Sequence, residues 1–477
     1  MNTGIATPSS PARTSVLGLI VAMALIEALS GITQGYLNPI LPALGPELHL
    51  DDPTINGLFL ISNVAFAVMT PIISRLGDSW GCRLVLRIST ATVAAGAVLM
   101  AVAPSLLTIS VGVVLLTCVV GFIPLMMGIL RATRPESTRS GVGAMIGTLM
   151  ITVGVGGLLA GIVGAEHPTL GFWIAVPFAA VALIASFFVP EGLPATREPI
   201  AILPLALCSL GLIGLVTALS MGPDWGWLSA PTLVTGLAGI LLLALWVRLD
   251  LRKATTTAAP RRFIDLHLLA VPRVRTVTIA TFLFGFSSIS YFGSNGLFLH
   301  SDSAAAGFGF GMGPMDIAAV LAAASVLGFL SSLALPPLMA RVGERGGLVC
   351  AAAILAAGFL LMGLLHGSMI GYVAGFGVFY LGLGMYQAAT RTLSVEGVPV
   401  EETSTAAGLN ELALSVGISI GAAVVRLISA ASAVNGKIPL SGFAVIWVTL
   451  GLAAALAGVV SLRYPKRTAA LGNGVRA

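Results

Sequence analysis

The segment PIISRLGDSWG (71–81) returns, at a constant offset of 266 residues, as PLMARVGERGG (337–347). Both copies end a long apolar run with proline, two apolar residues, a small residue, arginine, an aliphatic residue, glycine and an acid. A segment repeated at the ends of two apolar runs indicates a chain built from two similar halves, as several transporter folds are. The offset pairs the six apolar runs before residue 190 with the six runs after residue 275.

The composition of the whole chain is that of a membrane protein. Of 477 residues, 57% are hydrophobic, while only 24 are lysine or arginine and 19 are aspartate or glutamate. A soluble fold of this length could not cover its surface with so few charges. A helix that crosses a bilayer needs about 20 mostly apolar residues. We therefore expect an all-α, polytopic membrane protein.

Fourteen apolar runs, separated by prolines, glycines and charges, are long enough to be transmembrane helices. We number them span 1 to span 14. Their predicted limits are 14–36, 55–75, 84–103, 106–129, 141–163, 170–189, 200–220, 230–249, 276–299, 314–339, 347–366, 370–390, 404–430 and 441–462. The even number places both termini on one side of the membrane, which we name the terminal side.

Positive charge separates sharply between the two sides of these spans. All cations except Arg426 and Lys437 fall on the terminal side, and Arg391 is assigned to a terminal-side loop in this count. Loops rich in lysine and arginine remain in the cytoplasm. The pattern predicts a multi-pass protein of the cell membrane with both termini cytoplasmic.

The longest connection, 248–275, is basic and separates eight spans from six. The predicted organisation is therefore an N-terminal six-helix bundle (1–190, spans 1–6), an inserted pair with a basic cytoplasmic linker (191–275, spans 7 and 8), and a C-terminal six-helix bundle with a cytoplasmic tail (276–477, spans 9–14).

The loop SRLGDSWGCR (74–83) resembles the signature loop of the major facilitator superfamily, whose pattern Leu76, Asp78, Gly81 and Arg83 match. The resemblance implies that Asp78, Gly81 and Arg83 belong to a cytoplasmic latch between the two halves. An acid at a helix end can pair with arginine or with the N-terminus of a facing helix. The alternative for Asp78 is an ordinary solvated helix cap.

Span 5, with GAMIGTLMITVGVGGLLAG (143–161), is similar to the antiporter motif of the same superfamily. Gly143, Gly156, Gly157 and Gly161 occupy motif positions, although Gly157 stands where the family has proline. Spans 7 and 8 look like the inserted pair of the fourteen-span drug:proton antiporter branch. Glycines at this density also permit close helix packing without any role in antiport.

Two acids lie within predicted spans, Glu27 in span 1 and Glu411 in span 13. An ionisable side chain in hydrocarbon is costly, so it is a functional hypothesis by default. A carboxyl group removed from water favours its neutral form, which suits a group that loads and releases protons. Both are predicted to couple protons; the alternative is a hydrogen-bonded packing residue. Members of this branch usually have an aspartate in span 1 and an arginine in span 4. This sequence has Thr33 and Thr117 near those positions instead.

The resemblance also implies that spans 1, 2, 4, 5, 9, 10, 12 and 13 line a substrate cavity. Their polar and aromatic side chains are candidates for contact with substrate, and each is equally suited to a hydrogen bond between helices. The candidates are Gln34, Asn38, Asn63, Tyr291, Asn295, Tyr380, Gln387 and Asn410.

A mostly apolar cavity with few polar groups suits amphipathic organic molecules. The sequence and the resemblance together predict a monomeric exporter of such compounds, exchanging them for protons across the lipid bilayer. The alternative is a proton symporter or facilitator that imports a small organic nutrient. No catalytic cluster, metal-ligand spacing or nucleotide loop is found in the sequence. We therefore expect no enzyme activity, cofactor, metal or nucleic-acid partner.

The charge distribution yields a topology that labelling can check. Single cysteines placed in the 248–275 connection should resist a membrane-impermeant thiol reagent in intact cells, because we expect this connection to be cytoplasmic. Cysteines beside Asp224 and Lys437 should react. Labelling of the 248–275 connection in intact cells, without lysis, would reverse the orientation.

Overall fold

A computed structural model describes residues 15–50, 52–163, 167–194, 201–251, 266–288, 291–303, 307–434 and 437–465. Within these ranges the regular structure is helical, apart from one isolated antiparallel bridge between Val434 and Lys437. The 248–275 connection falls mostly outside the described residues, so its predicted location stays a prediction.

The helices follow the predicted order. Spans 1 to 3 are Val16–Leu48, Asp52–Trp80 and Cys82–Val102. Span 4 comprises Leu106–Leu116, Thr117–Gly121 and Phe122–Thr133; span 5 is Thr138–Val163; span 6 comprises Pro168–Ile174 and Ala175–Phe188. Spans 7 and 8 are Ile202–Trp225 and Ala230–Asp250, and span 9 comprises Pro272–Ser287 and Phe292–His300. Spans 10 and 11 share Pro314–Leu364, and spans 12 to 14 are Met369–Glu396, Thr403–Ser432 and Leu440–Ser461. Short 3₁₀ turns are Pro135–Ser137, Leu266–Ala270 and Val400–Glu402.

Thirteen of the described helices are long and apolar enough to cross a membrane. The longest, Pro314–Leu364, has 51 residues, which at 1.5 Å per residue is about 77 Å and more than twice a bilayer core. Its backbone leaves helical geometry at Gly343, where φ is 79° and ψ is 167°. Only glycine adopts such a conformation readily. Gly343 therefore divides this helix into spans 10 and 11. The expected all-α membrane architecture is confirmed, and this division is consistent with the predicted fourteen spans.

Span 4 is interrupted at membrane depth, where it tightens into a 3₁₀ segment at Thr117–Gly121. Irregular backbone at membrane depth is tolerated only where protein or a water-filled cavity surrounds it. The span 4 interruption meets this condition, because Thr117, Val119 and Val120 line a cavity described below.

Span 5 is the central helix of the packing, since it lies against span 1 of its own half and against span 10 of the other. Its motif glycines make both approaches possible. A Cβ atom on Gly156 would lie 2.8 Å from the carbonyl oxygen of Ile32 in span 1, and one on Gly143 would lie 2.9 Å from the carbonyl oxygen of Ser332 in span 10. Gly157 and Gly161 are less confined, with their nearest atoms at 3.7 and 3.6 Å.

The inserted pair packs against the outside of both halves. Span 7 contacts span 2 and span 13, and span 8 packs against span 7. At the end away from the termini, Arg426 of span 13 donates to the Asp224 carboxylate at 3.1 Å and to the Ser220 carbonyl at 3.0 Å. The pair is therefore attached to the C-terminal half by charge as well as by apolar contact.

The unequal confinement of neighbouring glycines predicts unequal effects of one substitution. Gly156→Ala should lower stability by about 1–3 kcal/mol, the usual cost of overpacking, because its methyl group would collide with span 1 backbone. Gly157→Ala adds the same atom where space exists and serves as the matched control. Thermal unfolding of the purified proteins in one detergent measures both. Equal melting temperatures for the two variants would contradict this account of the packing of spans 1 and 5.

Candidate functional site

A cavity of about 250 Å³ lies between the two halves at the middle of the bundle. Residues of spans 1, 2, 4, 5, 12 and 13 line it, and its volume is close to the lower end of the range for ligand pockets. Most of the wall is aliphatic, aromatic or hydroxyl-bearing. The ionisable and amide side chains of the wall are Glu27, Gln34, Asn63, Gln387, Arg391 and Glu411.

Glu27 reaches this cavity because span 1 buries one face in its own half. Its neighbours Met23, Ile26 and Ser30 are buried on the same helix, and Glu27 itself is only 1% exposed. The Oε2 atom of Glu27 has no hydrogen-bond partner among the described residues. Seven residues on, the Gln34 amide donates to the Ser30 hydroxyl at 3.1 Å. A carboxyl group with an unpartnered oxygen beside a cavity is available to a proton or a ligand.

Glu411 has a different environment, because its carboxylate is paired with Arg391. Arg391 Nε lies 2.7 Å from Glu411 Oε1, and Arg391 Nη2 donates to Glu411 Oε2 at 2.9 Å. Both side chains are 6% exposed. The Nη2 contact is a charge-assisted hydrogen bond, and the Nε contact adds a short ion-pair distance without hydrogen-bond geometry. Removal of one partner would leave a buried, uncompensated charge and would cost about 3–5 kcal/mol.

The sequence-based placement of Arg391 in a loop was wrong. The apolar run of span 12 stops at residue 390, but the helix continues to Glu396. Arg391 stays in the buried helix because Glu411, twenty residues further along the chain, supplies its counter-charge. Hydropathy reads each span separately and does not detect a partner on a neighbouring helix.

Several predicted cavity residues lie elsewhere. Tyr291 and Asn295 belong to a buried hydrogen-bonded cluster within the C-terminal half. The Trp447 indole donates to the Tyr291 hydroxyl at 2.6 Å, the Tyr291 and Tyr372 hydroxyls are 2.5 Å apart, and the Tyr372 hydroxyl donates to Asn295 Oδ1 at 2.8 Å. These side chains connect spans 9, 12 and 14 to one another, which is the helix–helix role that polar groups often have in membranes.

Two further candidates also face protein. Tyr380 packs among the rings of Phe292, Phe376 and Phe379. Asn410 accepts a hydrogen bond of 2.6 Å from the Thr281 hydroxyl in span 9. The side chain of Asn38 lies outside the described part of the chain. Of the predicted cavity side chains, the structure thus brings Gln34, Asn63 and Gln387 together with Glu27 and Glu411.

The predicted latch joins the halves at the terminal side. The Thr405 hydroxyl, in the first turn of span 13, donates to the Asp78 carboxylate at the end of span 2. Gly81, with φ of 94°, makes the turn into span 3. Arg83, however, pairs at 3.2 Å with the exposed Glu191 of its own half. The part of the prediction that placed Arg83 in the contact between halves is therefore corrected.

A second contact between the halves mirrors the first. Arg139, in the first turn of span 5, pairs with Glu344 at 2.5 Å and with Glu396 at 2.7 Å. The repeat offset of 266 converts Asp78 into Glu344 and Arg139 into Thr405. Each repeat acid therefore binds the start of the opposite half's span 5 or span 13. The second copy of the repeat could have predicted the contact of Glu344, but only Asp78 of the first copy was predicted to join the halves.

Arg131 strengthens the same layer. Its guanidinium donates to the Thr403 hydroxyl at 3.0 Å and to the Val398 carbonyl at 2.8 Å. Cys82 Sγ lies 3.3 Å from Ser404 Oγ, again across the boundary between the halves. These contacts, with those of Asp78 and Arg139, close the terminal side of the cavity. We name the four of them together the closing layer.

Known proteins that are similar to this chain are membrane transporters. The family model described as Major Facilitator Superfamily matches residues 23–203 and 200–422. The chain is 27% identical over 443 residues to a probable actinorhodin transporter of Streptomyces coelicolor, covering 88% of this chain and 73% of that protein. It is 25% identical over 437 residues to the multidrug efflux pump LfrA of Mycolicibacterium smegmatis, covering 88% and 82%.

Solved structures share the fold at low identity. The human organic anion transporter MFSD10 superposes with a TM-score of 0.67 at 16% identity, covering 95% of this chain and 100% of that one. The proton:xylose symporter XylE superposes with a TM-score of 0.62 at 13% identity, covering 95% and 97%.

The closing layer can be tested through Cys82, which lies within it. With the other three cysteines replaced by alanine, Asp78→Asn should raise the alkylation rate of Cys82 about tenfold. The reason is that a hydrogen bond to a charged group contributes about 1.5–3 kcal/mol. Glu191→Gln makes the same chemical change at an exposed pair and should leave the rate unchanged. An unaltered rate in Asp78→Asn would reduce Asp78 to a helix cap.

Proposed function

The chain belongs to the major facilitator superfamily, and from this premise we propose that it exports small amphipathic organic compounds in exchange for protons. It is a multi-pass membrane transporter rather than an enzyme. Its curated relatives include a tetracenomycin C resistance and export protein of Streptomyces glaucescens, 24% identical over 434 residues, besides those described above. Names of this kind support outward movement of drug-like compounds.

The observation that carries the proposal is the composition of the central cavity. Its wall is mostly apolar, yet it holds two carboxyl groups, and one of them, Glu27, has an oxygen without a partner among the described residues. An apolar wall with a few polar groups suits the ring systems of amphipathic compounds. The unpartnered carboxyl supplies a place for a proton at membrane depth. Small cavity size and the closing layer fit a state in which the terminal side is shut.

Glu27 is the residue that we assign to proton coupling. The positions where the fourteen-span branch usually has charge in spans 1 and 4 are Thr33 and Thr117 here, and both line the same cavity. Glu27 therefore provides the N-terminal half with its only ionisable side chain among the described lining residues. Gln34, Asn63 and Gln387 are proposed as substrate-contacting residues, since their amides can donate and accept hydrogen bonds.

Orientation and organisation complete the proposal. We place the protein in the cell membrane with both termini in the cytoplasm, so the closing layer is on the cytoplasmic side. We propose residues 1–190 and 276–477 as the two six-helix bundles and residues 191–275 as the inserted pair with its linker. A single chain contains both halves of the cavity, which is consistent with a monomer as the working unit.

Accumulation of ethidium, a fluorescent amphipathic cation, tests the function together with resistance to tetracenomycin C. Cells with the wild-type gene should accumulate several-fold less ethidium than cells without it, and a protonophore should abolish the difference. Cells with Glu27→Gln should accumulate as much ethidium as cells without the gene, at equal expression in the membrane. The reason is that glutamine keeps the shape of the side chain but cannot ionise.

The matched control is Glu47→Gln, at the outer end of span 1, where Glu47 accepts from Thr169 outside the cavity. It should retain efflux. Higher accumulation with the wild-type gene would instead indicate import. Full protonophore-sensitive efflux by Glu27→Gln would move proton coupling to another group.

A further inference from the structure

Hydrogen-bond donors and acceptors are unequally available in the wall of the central cavity. Several hydroxyl groups of the wall use their hydrogens on the helix that carries them. Those of Thr33, Thr117 and Ser419 donate at 2.9, 2.6 and 3.0 Å to backbone carbonyls three or four residues before them. A hydroxyl group has a single hydrogen to donate. These three side chains therefore offer a ligand only their lone pairs.

Nitrogen donors of the wall are also engaged with protein. The Gln34 amide donates to the Ser30 hydroxyl at 3.1 Å and to the Ser30 carbonyl at 3.2 Å. Arg391 Nη2 donates to the Glu411 carboxylate at 2.9 Å. The charges of Arg391 and Glu411 oppose each other at a contact of 2.7 Å, so this pair adds no net charge to the wall.

Two acceptors of the wall have no such use. Glu27 Oε2 and Gln387 Oε1 are buried and lack a hydrogen-bond partner among the described residues. The two side chains are 1% and 3% exposed, and both line the cavity. Glu27 belongs to span 1 and Gln387 to span 12, so each half supplies one of these acceptors. Buried polar atoms are nearly always hydrogen-bonded, and two that are not, in one cavity, indicate a ligand that donates to them.

We propose that this acceptor-rich wall selects amphipathic organic cations that carry N–H donors, and that Gln387 determines this specificity. Donors of such a compound bind the Glu27 carboxyl group and the Gln387 amide oxygen, while its ring system lies against the apolar part of the wall. A cation is favoured because Arg391 is paired with Glu411, which leaves the Glu27 carboxyl without a counter-charge of its own. The proposal rests on the proposed function, because it takes this cavity as the substrate site.

Such a wall discriminates against quaternary ammonium ions and fully alkylated amines. These cations have the charge but no N–H group, so both acceptors would stay unpaired when they bind. A site that hydrogen-bonds its substrate rejects an analogue without the bonding group far more strongly than an apolar pocket rejects a small change of size. Positive charge alone therefore does not define the substrate.

Two cations with one ring system separate donor recognition from charge and shape. Ethidium carries aromatic amino groups, and desamino-ethidium is the same phenanthridinium cation without them. Dissociation constants are measured on the purified full chain, for ethidium by fluorescence anisotropy and for desamino-ethidium by displacement of ethidium. We expect ethidium to bind about tenfold more tightly or better. An apolar cavity without donor recognition predicts the reverse order, because loss of the amino groups makes the compound more apolar.

Gln387→Met is the decisive variant, because methionine is a flexible, unbranched side chain whose thioether is only a weak acceptor. Gln387 Oε1 has no partner in the part of the chain that the structure describes, so its removal breaks no hydrogen bond there. We expect the preference for ethidium to fall by about fivefold or more, through weaker binding of ethidium with the affinity for desamino-ethidium unchanged.

The matched control is Tyr386→Phe, which removes a buried polar group from the adjacent position of span 12. The Tyr386 hydroxyl lies 3.1 Å from the Ser461 hydroxyl, and Tyr386 is not among the residues that line the cavity. This variant should keep the wild-type preference for ethidium.

Two results would overturn the proposal. One is a wild type that binds desamino-ethidium as tightly as ethidium or more tightly. The other is a folded Gln387→Met protein that keeps the full preference. Neither result bears on export itself, which ethidium accumulation in cells decides. Absence of protonophore-sensitive ethidium efflux by the wild type would instead refute the proposed function.

Discussion

The cost of placing charge and unpaired backbone in hydrocarbon governs this molecule. Water is absent from the bilayer core, so each crossing must satisfy its own backbone as a helix, and each ionisable side chain needs a partner or a cavity. Arg391 and Glu411 follow the first route, with contacts of 2.7 and 2.9 Å. Glu27 follows the second, since it borders the cavity with one oxygen that has no hydrogen-bond partner in the part of the chain that the structure describes. Helix breaks obey the same constraint, because the 3₁₀ segment of span 4 lines that cavity.

The duplicated organisation explains where the halves hold together. A repeat offset of 266 residues maps the contact of Asp78 with Thr405 onto that of Glu344 with Arg139. The two contacts differ in chemistry, since one joins an acid to a hydroxyl and the other joins two acids to a guanidinium. Charged pairs are the stronger of these interactions. The closing layer therefore has a pseudo-symmetric plan in which each repeat acid contacts the first turn of a helix in the opposite half.

Sequence patterns predicted those features that depend on one segment at a time. The helical fold, the order of the spans and the contact of Asp78 with the opposite half follow from apolar length and a local motif, and the structure agrees with them. Side-chain partners depend on neighbouring helices and were missed. Arg391 was assigned to a loop because the apolar run stops at residue 390 and its counter-charge lies on another helix, span 13. Tyr291 and Asn295 were assigned to the cavity, although Trp447 donates a hydrogen bond to Tyr291 and Tyr372 donates one to Asn295. A polar residue in a span is visible in sequence, but the side it faces is set by tertiary packing.

The glycines of span 5 connect this packing to movement. Gly156 brings span 5 against span 1, which carries Glu27, and Gly143 brings the same helix against span 10 of the other half. Rigid, close-packed helices rearrange by rotating as bodies rather than by bending. A displacement of span 1 is therefore passed to span 5. The first turn of span 5 carries Arg139, so this one helix connects the wall of the cavity with the contacts between the halves at the terminal side.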